Sequence, residues 1–69
     1  MWNEGELFRF KYIYRGCDLN DRLAIYLGES HIKRADGVIV RNFTVQVIGE
    51  DTPTICDKNL KRHMKKVEV

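Results

Sequence analysis

Sixty-nine residues are room for one small domain and exclude a catalytic α/β barrel, a dinucleotide-binding fold or a second core. Hydrophobic residues make up 43% and charged residues 32%, with seven aromatics and one proline, a globular composition that excludes a disordered tail or a collagenous repeat. Twelve Lys and Arg against ten Asp and Glu leave a net charge of +2, so a histone-like cationic field is excluded and any contact to phosphate needs a local patch.

A domain of this size buries only about 60% of the surface its unfolded chain exposes, which leaves a narrow stability margin unless a partner covers it. No apolar run reaches the roughly eighteen residues of a membrane span, and the first residues, Met1-Trp2-Asn3-Glu4-Gly5-Glu6, are acidic where a signal peptide starts basic. The expectation is a soluble, cytoplasmic protein in which Cys17 and Cys56 are reduced thiols, since secreted domains this small carry denser, even sets of cysteines.

The first predicted strand is Glu6 to Arg15, whose alternation places Phe8, Phe10, Tyr12 and Tyr14 on one face and Leu7, Arg9, Lys11, Ile13 and Arg15 on the other. Residues Arg15 to Asp21 are rich in turn formers, and Leu23, Ile25 and Leu27 then alternate with Ala24 and Tyr26 in a second strand ending at Gly28. Glu29 to Asp36 is polar and aperiodic and reads as a long connecting loop, closed by Asp36-Gly37, a pair favoured where φ turns positive.

Val38 to Ile48 is β-branched and long for one strand, which predicts a bend or tight turn near Arg41-Asn42 that separates Val38–Val40 from Phe43–Ile48. Gly49 to Pro53 reads as a turn, because Pro53 cannot donate to a ladder, and Thr54-Ile55-Cys56 begins a short strand. Asp57 can cap one or two helical turns through His63, and Lys65 to Val69 returns to alternation. Phe10 is expected on the inner face, and Leu60 and Met64 are expected to turn inward.

Five or six short strands with one helical turn before the last, and no long helix, define an all-β chain that can close into a small barrel. Gly5-Glu6-Leu7-Phe8-Arg9-Phe10 resembles the Gly-Asp-Leu-Val-Arg opening of SH3-like small barrels, the class of KOW-type and Sm-like modules often found among small phage proteins. Leu23 to Gly28 and Gly37 to Val47 stand where the following strands of such a domain would, and Leu60 to Val67 resembles its closing helical turn and strand. The resemblance implies an SH3-like barrel over residues 1–69; such barrels host many roles, so function has to come from particular residues.

The closing segment carries Lys58, Lys61, Arg62, Lys65 and Lys66, with His63 and no acid among them. Such a cluster contacts phosphate or an acidic partner surface, or is a solvated rim balanced by Asp57 and Glu68. His31, Lys33 and Arg34 lie in the predicted polar loop and form a second candidate contact, since long loops often serve binding. The aromatic row Phe8, Phe10, Tyr12 and Tyr14 is expected to pack in the core; of the four, Tyr12 and Tyr14 have the polar tips that suit a surface or a partner, and Tyr26 joins them as a candidate aromatic contact. Aromatic faces beside cations also describe a platform on which bases stack.

Cys17, His31, Cys56 and His63 contain no closely spaced ligand pair, so no metal is expected. The scattered glycines form no phosphate loop, and a domain this small has little room for a deep pocket that excludes water, so neither a cofactor nor an enzyme is expected. The expected function is a non-catalytic interaction module that binds a macromolecular partner, a phage-type protein acting on a host or virion protein in the host cytoplasm. The alternative is a nucleic-acid-binding barrel using the basic segment 58–66. Protein is thus the first partner class and nucleic acid the second, a membrane is not expected, and self-association is left open.

Overall fold

The computed structural model describes residues 2–67. The chain is all-β: β1 (Leu7–Phe10), β2 (Leu23–Lys33), β3 (Ile39–Val47), β4 (Thr54–Asp57) and β5 (Met64–Lys66), with a 3-10 helix at Lys58–His63 immediately before β5. All neighbours are antiparallel, in the order β4-β3-β2-β1-β5. The sheet is not closed into the barrel expected from the sequence, because among the described residues no ladder joins its edges, β4 and β5. These edge strands are only four and three residues long. The 3-10 helix connects them, and Leu60 from this helix packs on the core.

The core follows the period-two pattern. Phe8 and Phe10 of β1, Ala24 and Tyr26 of β2, Phe43, Val45 and Val47 of β3, Cys56 of β4 and Met64 of β5 are buried on one face. Phe8 and Phe10 meet edge to face with ring centroids 4.9 Å apart, the arrangement that sets a positive ring edge against a negative ring face. Trp2, Ile13, Leu19 and Leu60 cover this cluster from outside the strands.

The first strand stops five residues earlier than its alternation predicts. Beyond Phe10 the chain enters a loop whose base is closed by Phe10 N–H to the Arg22 carbonyl (2.9 Å) and Asp21 N–H to the Phe10 carbonyl (3.0 Å). Inside the loop, Asn20 Oδ1 accepts from Ile13 N–H (2.7 Å) and Asn20 Nδ2 donates to the Tyr14 carbonyl (2.8 Å). A side chain thus satisfies backbone groups that a continued ladder would have used. Tyr12 and Tyr14 are consequently out of the core, 65% and 61% exposed, while Ile13 turns onto it, the reverse of the predicted facing.

The long loop predicted at Glu29–Asp36 is mostly strand. β2 continues to Lys33, and the connection narrows to a turn in which Gly37 N–H donates to the Arg34 carbonyl (3.0 Å) and Val38 N–H to Asp36 Oδ1 (3.1 Å). β3 runs unbroken, so the predicted bend at Arg41-Asn42 is absent; these residues pair regularly with His31 and Ser30. The irregularity lies on the partner strand, where the register shifts between Tyr26 and Gly28, leaving Leu27 as the extra residue of a bulge. Gly28 has φ +128°, a region that glycine enters without the penalty a Cβ brings.

The bulge inverts which β2 residues face the core. Before it, Ala24 and Tyr26 point inward opposite Val47 and Val45; after it, Glu29 lies opposite buried Phe43 and so shares its face. Beyond Ser30 the hairpin leaves the core, and all nine residues from His31 to Ile39 are exposed. The turn at Gly49–Pro53, the strand at Thr54 and the inward Met64 match their predicted positions. Asp57 caps the 3-10 helix as predicted, its Oδ1 accepting from Asn59 N–H at 2.8 Å. Of the predicted closing alternation, Glu68 and Val69 lie outside the described residues.

Candidate functional site

A cleft of about 600 Å³ opens where the N-terminal segment, the β2 bulge and the 3-10 helix meet, lined by Trp2, Asn3, Glu4, Tyr26, Gly28, Glu29 and Lys61. Each element places its residue for a local reason. Gly5 N–H donates to the Tyr26 carbonyl (2.7 Å) and Asn3 N–H to Glu6 Oε1 (2.8 Å), which folds the N-terminal segment back over β2. Trp2 then rests edge-on against Phe8 at 5.4 Å and beside Tyr26 at 6.5 Å. The bulge turns Glu29 onto the Phe43 side, and the capped helix brings Lys61 across to meet it.

Lys61 is central to the electrostatics. Its Nζ pairs with Glu29 Oε1 and lies 5.9 Å from the Tyr26 ring centroid and 5.8 Å from that of Phe43. These distances lie within the range over which a ring quadrupole attracts a cation. Lys66 Nζ lies 5.4 Å from the Trp2 ring centroid and pairs with Glu6 Oε2 at 3.2 Å. Burial and the nearby charge of Glu4 push the Tyr26 phenol above its ordinary range. The Glu6 carboxyl is held below the carboxylate range, first by the Asn3 backbone N–H and also by Lys66.

The five-cation segment is therefore divided. Lys61 and Lys66 are committed to Glu29 and Glu6, whereas Lys58, Arg62 and Lys65 are exposed and have no carboxylate partner among the described residues. Lys65 lies directly opposite Arg9 in the β1–β5 ladder, on the face away from the core, and Lys11 N–H donates to the His63 carbonyl at 2.7 Å. The fold thus brings one β1 cation, Arg9, to the segment, a juxtaposition that no local spacing signals.

His31 and Lys33 belong to β2 rather than to a loop, and Arg34 begins the following turn, paired with Asp36 at 3.2 Å. Tyr12, Tyr14 and Tyr26 do not assemble into one surface. Tyr12 and Tyr14 stand on the β1–β2 loop, where a hydrogen bond donated by the Tyr14 hydroxyl to the Cys17 sulfur raises the Tyr14 pKa, and Tyr26 is 3% exposed with its ring stacked on Phe43 at 6.0 Å. Sequence reasoning missed Trp2 and Glu4 and reached Glu29 only as the first residue of the predicted polar loop; the single tryptophan two residues before an acid was the available signal.

Both cysteines are free, Cys17 half-buried and Cys56 buried. Among the described residues no group of three or more His, Cys, Asp or Glu is arranged to hold a metal ion, and no helix is long and apolar enough to cross a membrane. No protein-family model, curated protein or solved structure matches this chain.

Proposed function

We propose that this chain is a small non-catalytic interaction module that binds a protein partner at the Trp2–Tyr26 cleft. One observation carries the reading: two aromatic rings and three charged side chains, Glu4, Glu29 and Lys61, converge on an open cleft at one end of the core. An amphipathic ring beside charges is the composition of a recognition hot spot, since the ring supplies contact area and the charges supply orientation. The architecture is read as an SH3-like small barrel left open. Support comes from the antiparallel order in which β1 pairs with both β2 and β5, and from the 3-10 turn leading into the last strand. The phage-type role and the host cytoplasm rest on the resemblance and on the free thiols.

Arg9 and Lys65, directly opposite each other in the β1–β5 ladder, and exposed Arg62, two residues before β5, support a second reading, a nucleic-acid-binding barrel, because among the described residues none of the three has a carboxylate partner. Pull-down from host lysate with and without nuclease separates the two. The protein-binding reading expects one protein recovered in both arms; loss of all captured material after nuclease would transfer the function to the second reading.

A further inference from the structure

Lys61 marks what the cleft is built to hold. Its ammonium lies against two aromatic faces and a carboxylate, a set of groups that attracts a cation and has no positive element of its own apart from Lys61. The lining carries two carboxylates, Glu4 and Glu29, against this one ammonium, so one further positive charge would neutralise it. Glu4 has no ion-pair partner among the described residues, and Tyr26 registers its negative charge. The Lys61–Glu29 pair is partly solvated, with side chains 31% and 51% exposed, so Lys61 can swing to water without disturbing the core.

We propose that the cleft receives a lysine or arginine side chain of the protein partner, seated over the Tyr26 ring that Lys61 now covers, beside Trp2, and paired with Glu4 and Glu29, and that Lys61 is an intramolecular competitor displaced by it. This rests on reading the chain as a protein-binding module. It also reverses the role assigned to Lys61 from sequence: a phosphate contact would lose affinity when Lys61 is removed, whereas a competitor's removal strengthens binding.

Trp2 is the only tryptophan in the chain, so its fluorescence reports on the cleft alone. The probes are acetyl-Gly-Gly-Arg-Gly-Gly-amide, its lysine counterpart and its norleucine counterpart, titrated at low ionic strength. A single side chain supports a dissociation constant on the order of millimolar. The expected result is a saturable shift with the arginine and lysine peptides and none with norleucine. Lys61→Met should tighten binding about threefold to tenfold, and Glu4→Gln should weaken it by a similar factor. Equal response to norleucine, no saturation, or weaker binding in Lys61→Met overturns the assignment. Thermal midpoints are measured in parallel; if Lys61→Met does not fold, Glu4→Gln, a change at an exposed residue, decides alone. Partner capture that survives Glu4→Gln unchanged would keep the protein-binding module but remove the cleft from it. A positive peptide titration with no protein captured would leave the cation site and overturn the module.

Discussion

Glu4 Oε1 lies 3.0 Å from the position a Cβ on Gly28 would occupy, and Gly28 itself has φ +128°. The carboxylate can move aside because it ends a flexible side chain, but the backbone angle cannot change without undoing the bulge that turns Glu29 inward. Gly28→Ala should therefore cost about 1 to 3 kcal/mol, and removing the Glu4 side chain as well should not restore it. Urea denaturation of the single and double variants checks this; recovery in the double variant would place the cost in the contact rather than in the backbone.

Phe10 is fully buried and packs edge to face on Phe8, whereas Ile39 is 61% exposed on the projecting hairpin. Phe10→Ala is expected to lose about 3 to 5 kcal/mol, enough to unfold a marginal domain, because it removes apolar area and leaves a cavity. Ile39→Ser should change stability by no more than about 0.5 kcal/mol. Thermal midpoints compare the two. Similar losses at both positions would mean that the hairpin end is packed in solution.

Burial raises the Cys56 thiol from 9.0 to about 11, with Cys17 adding to the shift. The folded state therefore holds the thiol proton more tightly than the unfolded chain. The associated stability is fully present below about pH 9 and is lost as the pH rises through about 11, a loss of about 2 to 3 kcal/mol for two pKa units. Lysines and tyrosines titrate in the same range, so the test is the difference from Cys56→Ala: that variant should start less stable and lose less on alkalinisation. In the native protein at pH 8, a thiol probe should label half-buried Cys17 before Cys56; the opposite order would contradict the burial.

Arg62 and Lys65 separate the two functional readings without touching the cleft. The protein-binding reading expects no measurable affinity for nucleic acid in the wild-type chain. Binding that falls steeply with salt, and whose salt slope becomes shallower by about one unit per cation lost in Arg62→Glu with Lys65→Glu, would instead favour the phosphate patch.

Asp57 ends β4 and caps the 3-10 helix that carries Lys61. Asp57→Ala should cost about 1 kcal/mol in denaturant titration. It should also loosen the Lys61–Glu29 pair, read as a change in Trp2 fluorescence. An unchanged spectrum would mean that Lys61 is held by the cleft rather than by the cap.

The all-β class, the buried pair Phe8 and Phe10, the cap at Asp57 and the inward Met64 are legible in the sequence because each depends on local pattern: period-two alternation, a short acceptor before a helical turn, and two apolar residues, Leu60 and Met64, in an otherwise basic segment. The end of β1 at Phe10 was not legible, because its alternation continues to Tyr14 and is overridden by Asn20, which reaches back across the loop to Ile13 and Tyr14. The long β-branched run of β3 predicts a bend in that strand. The folded chain takes it in β2, because Gly28 reaches a positive φ without the steric cost of a Cβ. That single displacement determines the candidate site. It turns Glu29 toward Phe43 and Lys61, and with the folded-back N-terminal segment it brings together Trp2, Glu4 and Tyr26, residues whose association depends on ladder register and on hydrogen bonds between segments far apart in the chain.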